Sequence, residues 1–395
     1  MRKVKYKRIL PIILCSLFLS GCWDKVEIDR KLFITTIGID LGKDAGNNKD
    51  AKEIKPNDPF QDRISSKKLS IIYSFPDISS LGPGITSTAR DKYINVDASS
   101  MEDGIIEATG RSSRSIYLGQ TKLIMLNSAI LEQPDIFKEI LDYLERHPYL
   151  NKMMRIVVSE GKAEEFVKFQ PTMEKNIENY LTGLMESSES NASILPVTLN
   201  EVIILLGQNG NAIIPKISMD KEKKDIVLSG VAVIKNYKLK GFLTPEEVAD
   251  LEIMRGKIKG GKRVIYMDGH PIDIEINDIE RKIKVSGDKN KLFFNINCRL
   301  EAQLMEGFKG KEILSNTELN SIEKNFSESI SKECNIIAKL LQTEFQVDPI
   351  NLREYVEKYK PSLWKGIKDN WDEAFKSAEI TVNVDVKIRR IGVTK

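Results

Sequence analysis

The chain has 395 residues, with 60 Lys and Arg against 57 Asp and Glu and a formal net charge of +3. Five of the basic residues, Arg2, Lys3, Lys5, Lys7 and Arg8, precede any acidic one, and beyond residue 21 the balance is −2; that gives no support to nucleic-acid binding, which wants a basic stripe on the folded domain. Two histidines, and four cysteines without metal-ligand spacing, argue against a zinc site of the usual kind.

The basic leader runs into an apolar stretch from Ile9 to Leu19. It is shorter than the about 20 residues that cross a bilayer and has the proportions of a secretory h-region. It ends in Leu19-Ser20-Gly21-Cys22, the pattern of a bacterial lipoprotein box. Only a thiol forms the thioether to diacylglycerol, and small Ser20 and Gly21 admit the protease. Cleavage is expected between Gly21 and Cys22, leaving S-diacylglycerol and N-acyl chains on Cys22. Each buried methylene of such chains contributes ~0.8 kcal/mol to membrane attachment. A plain signal peptide with a coincidental cysteine is the alternative. The 374 residues from Cys22 onward suffice for two or three domains, each with its own core.

Phe33 to Asp40 alternates and predicts a strand. Residues 43–68 are polar, with Pro56 and Pro59, and predict a surface excursion. Strands at Leu69–Phe75 and Tyr93–Val96 follow, then Ser100 before a helix at Met101–Arg111, and a strand at Ser115–Leu126. Apolar residues from Ile130 to Leu144 mark an amphipathic helix ending at His147-Pro148. A strand at Met154–Val158, a short helix at Gly161–Phe169 and a helical stretch at Tyr180–Glu186 complete an α/β layer. The Ser-rich run 187–193 reads as a boundary. Up to Gly260-Gly261 a compact segment is predicted. It has a helix at Leu199–Leu206, an extended piece at Ala212–Ile217, a strand at Ile226–Ile234, and a helix opened by Thr244 as N-cap with Pro245 at its first position.

In the last third, Ile272, Ile274 and Ile276 alternate, and the phase flips across Asn277-Asp278, which predicts a bulge or turn. Even positions from Phe294 to Leu304, and again from Ile380 to Ile388, are apolar, which predicts an antiparallel sheet with one face covered. Ser315 and Glu318 form a capping box, and an apolar stripe from Leu319 to Phe345 predicts a helix of about 30 residues, ~45 Å long, lying on that sheet. A coiled coil with another chain is the alternative. Cys298 faces the sheet's apolar side and Cys334 lies on the helix stripe. They could form a disulfide outside the cytoplasm or remain two buried thiols acting as small hydrophobes.

No Gly-rich phosphate loop or Gly-x-Ser-x-Gly elbow is present. His147 stands at a helix end and His270 in a turn, neither with a visible partner for acid–base work. Asp273 and Glu275 fit a solvated strand face, and Trp364 with Trp371 fits a core or interface ridge. No catalytic residue, no metal and no cofactor is predicted apart from the lipid on Cys22.

Gly21-Cys22-Trp23-Asp24, Glu27-Ile28 and Thr36-Ile37-Gly38-Ile39-Asp40 together resemble the start of the C-subunit lipoproteins of spore germinant receptors, the Ger(x)C proteins. Similar blocks are Tyr117-Leu118-Gly119-Gln120-Thr121-Lys122, Val227-Leu228-Ser229-Gly230-Val231-Ala232-Val233, and Pro361-Ser362-Leu363-Trp364 with Trp371. The excursion at 43–68 is longer than the family's usual loop, and Gln120 stands where many members have a histidine. The resemblance implies a non-enzymatic subunit of a nutrient receptor, anchored on the extracytoplasmic face of the spore inner membrane. It further implies three mixed α/β domains and work with an A subunit and a multi-spanning B subunit. The expected organisation is α+β: leader 1–21, α/β domain I at 22–190, a small middle domain II at 191–260, and domain III at 261–395, a largely antiparallel sheet under a long amphipathic helix. One rival is a solute-binding lipoprotein of a transporter, which requires two similar parallel-sheet lobes with a hinge; a surface-anchored hydrolase is the other.

Overall fold

A computed structural model of the chain describes residues 30–46, 66–77, 90–190, 196–220, 222, 224–258, 260–267, 269–306 and 315–391. The leader, Gly21 and Cys22 lie outside them. The first lobe is built from β1 (Lys31–Phe33), β2 (Thr36–Leu41), β3 (Leu69–Pro76), β4 (Asp91–Ala98), α1 (Met101–Gly110), β5 (Ser115–Tyr117), β6 (Leu123–Asn127), α2 (Pro134–Arg146), β7 (Arg155–Ser159), α3 (Ala163–Val167) and α4 (Ile177–Ser190). It continues through α5 (Leu199–Asn209), β8 (Asn211–Asp220), β9 (Asp225–Lys235) and β10 (Lys238–Leu243).

Eight of these strands form one sheet in the order β10-β9-β8-β7-β6-β2-β3-β4. The central four run parallel, and each wing is antiparallel. Parallel centres are covered on both faces and read as unbroken apolar runs, as in the buried Leu123-Ile124-Met125-Leu126 of β6. One face packs Ile37, Ile39, Ile124 and Ile156 against α2 and α5. The other packs Met125 and Val157 against Phe166 and Val167 of α3 and Leu181 of α4. The strand expected from Phe33 to Asp40 is two strands, because the chain changes partners: Ile34 N donates to Tyr117 O, and Thr35 N donates to Ser74 O.

The segment 191–260, expected as a small separate unit, is divided between two cores. Its strands extend the first sheet through β7, where Val158 pairs with Lys216 and Ser159 with Ile217. Its helix α6 (Pro245–Arg255) packs into the second lobe with Val248, Leu251 and Ile253. Ile213, Val231 and Val233 of the first sheet share that same core.

The second lobe holds β11 (Lys262–Met267), β12 (His270–Gly287), β13 (Leu292–Glu306), α7 (Asn316–Leu340), α8 (Leu352–Tyr359), α9 (Pro361–Ile367), α10 (Trp371–Ser377) and β14 (Glu379–Ile391). Its sheet runs β11-β12-β13-β14; the first two pairings are antiparallel and the last is parallel. The expected break at Asn277-Asp278 is a register shift between Ile276 and Asp278. Helix α7 opens with the Ser315–Glu318 capping box, ends in a π turn at Leu341–Phe345, and packs Ile322, Phe326, Ile330 and Ile337 on the sheet.

Helix α7 also lies along the edge of β14. Glu323, Ser327, Ser331 and Asn335 recur every fourth residue, and their side-chain oxygens accept from Ile388 N, Val386 N, Val384 N and Val382 N at 2.8–3.0 Å. Four helical residues rise ~6.0 Å and two strand residues ~6.6 Å, so the two repeats stay in step over four rungs. An edge strand that would otherwise offer its amides to another chain is thereby closed.

Candidate functional site

The blocks that carry the sequence resemblance have structural work to do. Gly38 sits under α3: a Cβ there would lie 2.6 Å from Ile72 Cγ2 and 2.8 Å from Val167 Cγ2. Two residues on, the buried Asp40 carboxylate accepts from Ala163 N at 2.8 Å, Glu164 N at 3.0 Å and Asn127 Nδ2 at 2.7 Å. It thus takes up two of the free amides at the start of α3 from 123 residues away. Gly230 forms a bulge in β9 at φ 122°, where a Cβ would meet Leu243 O at 1.9 Å. Trp364 and Trp371 belong to different short helices, yet their ring centroids are 5.9 Å apart, and Trp371 meets Phe294 edge-on. In the Tyr117–Lys122 block, Thr121 Oγ1 donates to Ile34 O, while Gln120 is exposed.

The same block places Tyr117 in a row of rings beside Arg30, where the described chain begins. Phe33, Tyr117, Tyr149, His147 and Tyr143 follow one another at centroid distances of 5.4–6.0 Å, with Lys31 Nζ 4.6 Å from the centre of the Tyr117 ring. Tyr143 OH donates to Glu102 at 2.9 Å. Ile106, one turn on from Glu102 along α1, is 64 % exposed, as is Met153, and Tyr149 is 63 % exposed. Burial lowers the pKa of His147, with Glu102 opposing. The ring stands at the end of α2, as expected, and its Nδ1 accepts from Tyr149 N at 3.4 Å.

At the joint between lobes Asp348, pushed up to about 6 by burial, caps α8 by accepting from Leu352 N and Arg353 N. Beside it is a cavity of about 20 Å³ that Asn211 and Arg255 also line. Asp250, likewise raised to about 6 by burial, pairs with Arg263. A hollow of about 160 Å³ lies between α2 and α5, and another of about 250 Å³ lies on the polar face of the second sheet. His270 is exposed at the β11–β12 turn. Among the described residues no group of three or more His, Cys, Asp or Glu could hold a metal ion. Cys298 and Cys334 are free, buried thiols in this structure. Their sulfurs turn to carbonyls of α6, Cys298 to Ile253 O at 3.3 Å and Cys334 to Asp250 O at 3.8 Å, in place of the disulfide that the sequence allowed. Burial raises both, Cys298 to about 11.

A family model described as the spore germination protein N-terminal domain matches residues 24–219, and one described as spore germination B3/GerAC like, C-terminal, matches residues 229–392. Spore germination protein YndF of Bacillus subtilis (strain 168) is 26% identical over 410 residues, covering 100% of this chain and 99% of that protein. Spore germination protein B3 of the same organism is 24% identical, covering 95% of each. Spore germination protein GerQC of Bacillus cereus is 24% identical over 98% of this chain and all of that one. The crystal structure of the GerBC protein superposes with a TM-score of 0.59 at 21% identity, over 81% of this chain and 93% of that one, a likeness of fold. With both lobes matched in order, the chain belongs to the Ger(x)C family of spore germination proteins.

Proposed function

We propose that the chain is the lipid-anchored, non-enzymatic C subunit of a nutrient germinant receptor. Acyl chains on Cys22 would hold it on the outer face of the spore inner membrane, beside integral-membrane A and B subunits. The observation that carries this reading is the pair of family matches, one to each lobe, across 24–219 and 229–392. Among the described residues no helix is long and apolar enough to cross a membrane; in this reading attachment is through the lipidated cysteine. A tether confines the body to the layer above its partners and raises its effective concentration without a tight interface.

The two lobes are unlike: a parallel-centred eight-stranded sheet and a mixed four-stranded one, joined through a shared core. That favours the receptor subunit over a solute-binding lipoprotein, whose ligand would sit between similar lobes. The test is a strain producing Cys22→Ala. Loss of the protein from the spore membrane fraction, of its co-purification with the A and B subunits, and of nutrient germination is expected. Normal germination on every nutrient would refute the proposal.

A further inference from the structure

We propose that the aromatic row of Phe33, Tyr117 and Tyr149, with exposed Met153 four residues beyond Tyr149, rests on the headgroup layer of the membrane. The inference depends on the lipid anchor at Cys22 proposed above. Cys22 and Arg30 are eight positions apart, and eight residue steps span at most ~29 Å. A body of this length has a radius of gyration of about 21 Å, so the side opposite Arg30 lies farther from it than the tether reaches. Arg30 O accepts from Ser115 Oγ, and Lys31–Phe33 pairs with Ser115–Tyr117. The chain therefore enters the lobe at the foot of the aromatic row.

The chemistry of the row fits that place. Tyrosine has an apolar body and a polar tip, and it concentrates where lipid meets water. Tyr149, Met153 and Ile106 are each more than 60 % exposed. Tyr149 belongs to the row, Met153 lies four residues beyond it and Ile106 one turn beyond the Glu102 that accepts from Tyr143; Met173 elsewhere in the same lobe and Ile336 and Tyr266 in the other are exposed apolar residues of a kind that needs no explanation. Lys31 over the Tyr117 ring and exposed Lys152 supply positive charge toward anionic headgroups.

The test uses the full lipidated chain in vesicles of phosphatidylglycerol and phosphatidylethanolamine. A nitroxide is placed at Met153→Cys, and at Ile336→Cys as a remote control. Both sites are exposed, and the buried Cys298 and Cys334 escape labelling. On reconstitution the label at 153 is expected to gain oxygen collisions and lose collisions with an aqueous nickel chelate, with no change at 336. A protein that floats with the vesicles while its label at 153 stays in water overturns this inference and leaves the anchor standing. A protein that fails to float overturns both. Shielding at 153 that arises in native spore membranes but not in lipid vesicles marks a protein-contact face and overturns the lipid assignment.

Discussion

Ser331→Ala isolates one rung of the ladder between α7 and β14. The serine Oγ accepts from Val384 N at 2.8 Å, and Val384 is only 5 % exposed, so water does not replace the lost acceptor. A buried donor left without its partner costs about 1–3 kcal/mol. Alanine returns on the order of 0.5 kcal/mol of helix propensity over serine. The net loss is thus about 0.5–2.5 kcal/mol, and with a slope of roughly 2–3 kcal/mol/M the urea midpoint falls by about 0.2–1.2 M. Trp364 and Trp371 pack together inside the affected lobe, so their fluorescence reports its unfolding. Asn325→Ala is the control: its side chain is exposed and, among the described residues, bonds Ser321 O and Met267 Sδ, so a change within about 0.5 kcal/mol is expected. Ser327→Ala combined with Ser331→Ala should add a second rung, speed amide exchange across 382–388, and promote self-association through the opened edge. A Ser331→Ala protein as stable as the Asn325→Ala control would refute the reasoning.

Gly38→Ala drives a methyl to within 2.8 Å of Val167 Cγ2, so α3 must shift at a cost of about 1–3 kcal/mol; an unchanged melting temperature would contradict that close approach. In a lipid-free form beginning at Trp23, neither Cys298 nor Cys334 should react with a thiol reagent in the native state, because burial raises both. Two thiols per chain should titrate in denaturant without reductant, and none would reveal a disulfide. Asp348 rises from 3.8 to about 6 on folding, so between those values the native state holds more protons than the unfolded chain. On this account unfolding free energy falls as pH rises through the window, by at most ~3 kcal/mol. Asp348→Asn should flatten the dependence of the urea midpoint between pH 4.5 and 7, and an unchanged slope would sink that assignment.

Local signals were legible where chemistry fixes them. Ser100, Thr244 and Ser315 each cap the helix expected of them, and the phase flip at Asn277-Asp278 is a true register shift. Two strands were missed, β10 and β11, because Lys238–Leu243 alternates lysines around Gly241 and Lys262–Met267 is half exposed. The second sheet is largely antiparallel, as expected, but alternation does not encode direction, and β14 is parallel to β13. The signal was present in another form. Parallel neighbours need a crossover connection, and the long helical region between these two strands supplies one. The polar row Glu323, Ser327, Ser331 and Asn335 looks in sequence like a solvated face; only the neighbouring strand makes it a ladder. The placement of β8–β10 in the first sheet was likewise invisible, since a Ser-rich run reads as a boundary whether or not the chain crosses back into the same layer.

Several residues of the blocks that carry the family resemblance hold the fold together rather than present a surface. Gly38, Asp40 and Gly230 are each fixed by backbone or packing geometry, so a germination defect on replacing them is a defect of folding first. A stability loss of about 1–2 kcal/mol changes cellular abundance several-fold, which is enough to silence a receptor without touching any binding face. Tyr149 and Met153 are exposed, and replacing them leaves the fold alone. A germination defect there at unchanged protein level would identify a surface, and only a variant of that second kind speaks to how the subunit works.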